Sequence, residues 1–180
     1  MRFDRMTTKA QESVRSALDY ASRNGHPELY PEHIVRALLL QEEGVTSPVV
    51  TKAGADPNAL RAALEAKLNS YPRVSGGAEP NLSRRAHTLL QKAEDEAKAL
   101  SDEYTSAEHL LLAAAKHDRD LMGLLEKAGL TYDKLLSALS QVRGSQRVTD
   151  RDPEGKFQAL EKYTKNLTAL ARRGKLDPVI

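Results

Sequence analysis

The chain has 180 residues, 40% hydrophobic but only 4% aromatic, with no Trp and no Cys. Leu, Ala and Val must therefore fill the core, and disulfides, thiol catalysis and Cys-ligated zinc are excluded. Net charge is +2, with nine Lys/Arg against five Asp/Glu from Arg143 onward and −2 on the first 142 residues. The body thus lacks the basic footprint of a phosphate-backbone binder, and the basic tail reads as a solvated face; no nucleic-acid partner is expected.

In chain order, Thr7 is placed to cap a first helix whose apolar residues Ala10, Val14, Ala17, Leu18 and Ala21 keep a 3.6-residue period. A second helix opens at Pro31 and carries Ile34, Val35, Leu38 and Leu39. Ser47-Pro48 opens a third, which Gly54 stops, and Asp56-Pro57 opens a fourth with Leu60, Leu64 and Leu68 on one face. Tyr71–Leu82, with two Pro and two Gly, reads as a linker. The longest apolar run, Leu110–Ala115, is too short to cross a bilayer, and MRFDRMTTKAQ lacks the apolar core of a secretory signal. The protein is expected to be cytoplasmic, with no membrane partner.

The pattern then restarts. Ser83 stands 76 residues after Thr7, and Ala86, Leu90, Ala93 and Ala97 follow Ala10, Val14, Ala17 and Ala21 at the same offset. Glu32-His33 returns as Glu108-His109, and Leu60/Leu64 return as Leu135/Leu139, now offset by 75. An all-α fold of two tandem, pseudo-symmetric four-helix repeats is predicted, repeat 1 over residues 6–71 and repeat 2 over 83–146. Beyond Val142, RGSQRVTDRDPEGK is polar and turn-rich and is expected to be an exposed linker (147–158). A ninth helix is expected from Asp152-Pro153, with Phe157, Leu160, Leu167 and Leu170, ending at Gly174. The terminal KLDPVI stops on an apolar note, as expected of a fragment.

The repeated Glu-His pair raises a chemical question. A zinc protease helix needs HExxH, whereas Ala37 and Ala113 stand four residues after His33 and His109, and the five histidines are scattered. No metal site is expected. Neither Gly-Lys pair, at Gly155-Lys156 and Gly174-Lys175, has the spacing of a phosphate-binding loop, and no GxSxG elbow occurs, so no catalytic residues are assigned. The structural reading is a helix start: Thr105 and Glu108 have capping-box spacing, while Glu32, beside Pro31, is left to favour the helix dipole. The histidines then stand where a ring nitrogen can hold a neighbouring loop.

A duplicated eight-helix unit with EHLLLA-type helices resembles the Clp N-terminal repeat domain of bacterial AAA+ unfoldases. The stretch LxKYTxxLTxxAxxGKLDPVI (Leu160–Ile180), with YPRVSGG and MRFDRMTTKAQ, is similar to the ClpB-type disaggregase branch. The resemblance implies a client-recruiting domain followed, over residues 159–180, by the start of the first ATPase module. The clients would be unfolded or aggregated polypeptide, delivered to the pore of a homohexamer in partnership with the DnaK chaperone system. ATP and magnesium would belong to the full-length protein, and no cofactor to this stretch. It also implies client contacts at exposed polar positions, here Thr7, Asp102 (an exposed loop acid) and Glu108. Leu89, Leu90 and Leu110 are candidates for an apolar groove, with ordinary core as their other reading. The alternative is a ClpA- or ClpC-type unfoldase that feeds a protease.

Overall fold

A computed structural model describes residues 3–77, 79–144 and 147–154. The predicted ninth helix lies outside them except at Pro153 and Glu154. Repeat 1 consists of α1 (Thr8–Arg23), a two-residue β1 (Glu28–Leu29), α2 (Pro31–Leu40), α3 (Thr46–Lys52) and α4 (Pro57–Asn69). After β2 (Asn81–Leu82), repeat 2 has α5 (Arg84–Ala99), α6 (Ala107–His117), α7 (Arg119–Lys127) and α8 (Tyr132–Arg143). The predicted caps form locally: Thr7 accepts from the Ala10 N–H, Ser83 from Ala86 and Asp56 from Asn58.

The two-fold relation is visible in how the halves meet. The α2–α6 contact is its own image, α1 against α6 is mirrored by α5 against α2, and α3 against α8 by α7 against α4. The short parallel pairing of Leu29 with Leu82 reappears, 76 residues on, as the parallel bridge between Thr105 and Met6. Ala10, Ala17 and Ala21 on α1, like Ala86, Ala93 and Ala97 on α5, are buried, and α1 lies on α2 as α5 lies on α6. Small side chains on that face let each pair approach closely. All of this belongs to one cluster running from Met6 through Leu38, Leu90 and Leu110 to Val148. Neither repeat has a separate core. No helix among the described residues is long and apolar enough to cross a membrane.

Two expectations need correction. The Tyr71–Leu82 segment is not a free linker. Tyr71 stacks on Tyr30 at 4.2 Å between ring centroids, and Val74 donates its N–H to the Gly25 carbonyl at 2.8 Å. Gly25 is required there: its φ is +71°, and a Cβ would stand 2.9 Å from the Val74 oxygen. The polar stretch after Val142 is not exposed throughout either, because Val148 and Glu154 are fully buried. Its polar composition conceals one apolar anchor and one acid directed inward.

The shared core has a thermodynamic consequence. Leu38→Ala, which truncates a fully buried side chain of α2, should lower unfolding free energy by about 2–5 kcal/mol. Urea denaturation should still show one transition for both repeats; two separated transitions would contradict a common core.

Candidate functional site

The repeated Glu-His pair builds two equivalent helix starts, and the histidine, not the glutamate, is the capping side chain. At α2 the Tyr30 N–H donates to His33 Nδ1 at 2.9 Å; at α6 the Ser106 N–H donates to His109 Nδ1 at 2.8 Å. The expected Thr105/Glu108 box is thus displaced by one residue, to Ser106 and His109. With Nδ1 accepting, each ring carries its proton on Nε2 and donates outward. His33 Nε2 reaches His26 Nδ1 at 3.1 Å, and His26 Nε2 reaches the Leu68 carbonyl at 2.9 Å. Burial, His26 and Arg36 push the His33 pKa down to about 3, so the His33 ring stays neutral.

In repeat 2 the position of His26 is taken by Asp102. His109 Nε2 donates to Asp102 Oδ2 at 2.7 Å, while Asp102 Oδ1 accepts from Arg143 Nη2 and, at 2.8 Å, from the Val148 N–H. Asp102 is therefore no exposed loop acid; it is 8% exposed. Burial pushes its pKa up, but the bonds from His109, Arg143 and Val148 outweigh that and bring it down to about 2.

The two glutamates differ. Glu32, expected only to favour a dipole, is fully buried, pairs with Arg85 Nη2 at 3.0 Å and accepts from the Tyr71 hydroxyl. Arg85 also holds Asp118 at 2.8 Å. Glu108 is 1% exposed, yet among the described residues neither carboxylate oxygen finds a hydrogen-bond donor; Arg143 Nη1 stands 3.7 Å away. Above it lies residues 147–154. Glu154 Oε1 accepts from the Thr7 hydroxyl at 2.7 Å and from the Ala107 N–H at 3.2 Å. In repeat 1 the place of Ala107 is held by Pro31, which has no N–H to offer.

Thr7, Asp102 and Glu108 are therefore brought together, bridged by Glu154 and Arg143, although all three are buried where exposed positions were expected. Leu89, Leu90 and Leu110 belong to the core, at most 1% exposed, although Leu89 also borders a recess of about 300 Å³ walled by Arg84, Arg85, Thr88 and His117. Another recess, of about 180 Å³, opens beside Arg143, with Leu100, Leu136 and Leu139 on its apolar side and Ser140 and Arg147 on its polar side. Arg143, Val148 and Glu154 escaped sequence reasoning because each acts across a long separation; only the 76-residue register, which sets Asp102 opposite His26, pointed toward them. No cluster of possible metal ligands occurs among the described residues.

The depressed Asp102 carboxyl gives a pH signature. Its folded pKa of about 2 against 3.8 corresponds to about 2 kcal/mol of stability, present above pH ~4 and lost as pH falls through ~2. Asp102→Asn should remove that increment at pH 7 and little at pH 2, measured by urea unfolding across that range; equal losses at both would contradict the ion-pair account.

Comparison with known proteins places this geometry. Residues 5–128 match the model of the Clp repeat (R) N-terminal domain. Over 176 residues, 97% of this chain, the sequence is 47% identical to the chaperone protein ClpB of Corynebacterium efficiens, of whose length the match takes 21%. The chain thus spans about a fifth of the curated relatives it matches. The Hsp104 N-terminal domain from Candida albicans superimposes with a TM-score of 0.74 at 23% identity, covering 83% of this chain and 98% of that one. The N-terminal domain of the E. coli ClpV1 ATPase gives 0.66 at 25% identity, covering 80% and 88%. With a family model matched over residues 5–128 and 47% identity to a ClpB relative over 97% of this chain, the sequence belongs to the Clp repeat N-terminal domain family, among sequences of the ClpB chaperone type.

Proposed function

We propose that this domain receives unfolded or aggregated polypeptide for a ClpB-type disaggregase and passes it to the pore of a hexameric ATPase. In that reading the chain works with the DnaK system, and ATP and magnesium act in modules downstream of residue 180. Residues 1–146 form the recruiting domain, 147–158 the connection and 159–180 the entry to the first nucleotide-binding module. The 47% identity to a ClpB relative supports this branch over a protease-feeding unfoldase.

The observation that carries a client site is Glu108. A buried carboxylate without hydrogen bonds is costly, and folded proteins seldom retain one. Set between Thr7 and Asp102, and near the Leu100–Leu136–Leu139 recess through Arg143, it offers an unmet acceptor to the N–H groups of an incoming chain. Two or three apolar client anchors at about 1.5–3 kcal/mol each, less about 2–5 for ordering the client, leave weak and quickly reversed binding. A module that hands its cargo onward needs that weakness.

Titration of the chain with an unfolded, soluble polypeptide, followed by amide NMR, should shift Thr7, Asp102, Glu108 and the Leu136–Leu139 turn together. Half-saturation is expected between roughly 1 mM and tens of micromolar. Absence of shifts at millimolar client, or shifts confined to the far face around α4 and α7, would overturn the proposal.

A further inference from the structure

Residues 147–154 lie across the candidate client site in the manner of a bound peptide. The Glu103 N–H donates to the Val148 carbonyl at 2.8 Å, the Val148 N–H returns a bond to Asp102 Oδ1 at 2.8 Å, and the Thr8 N–H donates to the Arg151 carbonyl at 2.9 Å. The Val148 side chain is fully buried, and the Glu154 carboxyl closes the run against Thr7 and the Ala107 N–H. Main-chain bonds with one buried apolar side chain are how an extended peptide is recognised at an exposed backbone edge. We infer that this segment is a strap that occupies the client site from within the chain, so that strap docking and client binding exclude one another. The inference rests on the client reading above and adds its regulation.

The strap's far end is mismatched to its seat. Glu154 Oε1 is satisfied, but among the described residues Oε2 has no hydrogen-bond partner, and the carboxyl is set beside Glu108, which has none there either. The groups facing it are the Thr7 hydroxyl on the α1 cap, the Ala107 N–H and Glu108 on α6, with Arg143 of α8 behind Glu108. Burial, then the Glu108 charge, raise the Glu154 pKa to about 7 from 4.5. Docking therefore takes up a proton. The sign follows: the strap holds best below pH ~4.5, weakens by up to about tenfold per pH unit as pH rises toward ~7, and levels off above that. Near neutral pH the strap is a displaceable occupant. While docked it reduces apparent client affinity by the fraction of sites it leaves open, about tenfold for a strap docked roughly nine-tenths of the time.

Two variants of opposite sign test this in the full 180-residue chain, with reduced and alkylated lactalbumin as the unfolded probe and fluorescence anisotropy as the readout. Val148→Asp places a second carboxylate beside Asp102 and should expel the strap, tightening probe binding about threefold to tenfold at pH 6. Glu154→Gln removes the carboxylate pair, should keep the strap docked at pH 8, weaken probe binding there and abolish its dependence on pH between 6 and 8. If wild type and both variants bind the probe equally, the strap is not a competitor while the client reading stands. If none of the three binds it at either pH, the client reading falls and the strap's competitive role with it.

Discussion

An imidazole buried at the start of each central helix organises this fold. By accepting the N-cap N–H on Nδ1, His33 and His109 satisfy a backbone donor the helix cannot satisfy itself. The same bond dictates the tautomer, so the ring's remaining proton points away from the helix to whatever packs there. In repeat 1 that is His26 and, through it, the last turn of α4; in repeat 2 it is Asp102 and, through it, Arg143 at the end of α8. One side chain thereby ties together the beginning of one helix, the loop before it and the end of another. The residue that follows in the hydrogen-bond path, an imidazole in one repeat and a carboxylate in the other, decides whether the path ends in a backbone carbonyl or reaches out to a cation and a further segment of chain.

The two repeats depend on each other for burial. Each alone would leave the inward faces of α2 or α6 in water, and their mutual contact closes one continuous core of Leu, Ala and Val. Near-exact register between the halves lets exchanged contacts such as α3 with α8 and α4 with α7 satisfy the same geometry twice. The symmetry breaks where polar partners differ: Glu32 accepts hydrogen bonds from Arg85 and Tyr71, whereas Glu108, at the matching position, has Arg143 at 3.7 Å and no hydrogen bond among the described residues.

What could be seen in the sequence is what local chemistry encodes. The duplication, the helices and the caps at Thr7, Asp56 and Ser83 follow from spacing and from hydroxyl or carboxylate placement. The cap of α6 was placed one residue early because Thr105 and Ser106 both offer a hydroxyl and an imidazole in the third helical position lies outside the usual carboxylate pattern. Burial of Asp102 and Val148 was hidden for a different reason. Both belong to polar, turn-rich stretches, and only partners some forty residues distant reveal that they face inward. The family resemblance implies Thr7, Asp102 and Glu108 as exposed client contacts, whereas the fold buries all three beneath later parts of the chain.

Pro31 sits where Ala107 sits in the other repeat, and the exchange of one N–H for a ring methylene makes the doubled scaffold one-sided. A helix that opens on proline lacks the first of its free N–H donors, and the acid at the α2 end is held by Arg85 of the other repeat and by Tyr71. The α6 end keeps its first N–H, at Ala107, and Glu154 accepts from it beside Glu108. Duplication thus yields two helix starts on one blueprint, the first clamped by an arginine of the opposite repeat and the second capped by the chain that follows.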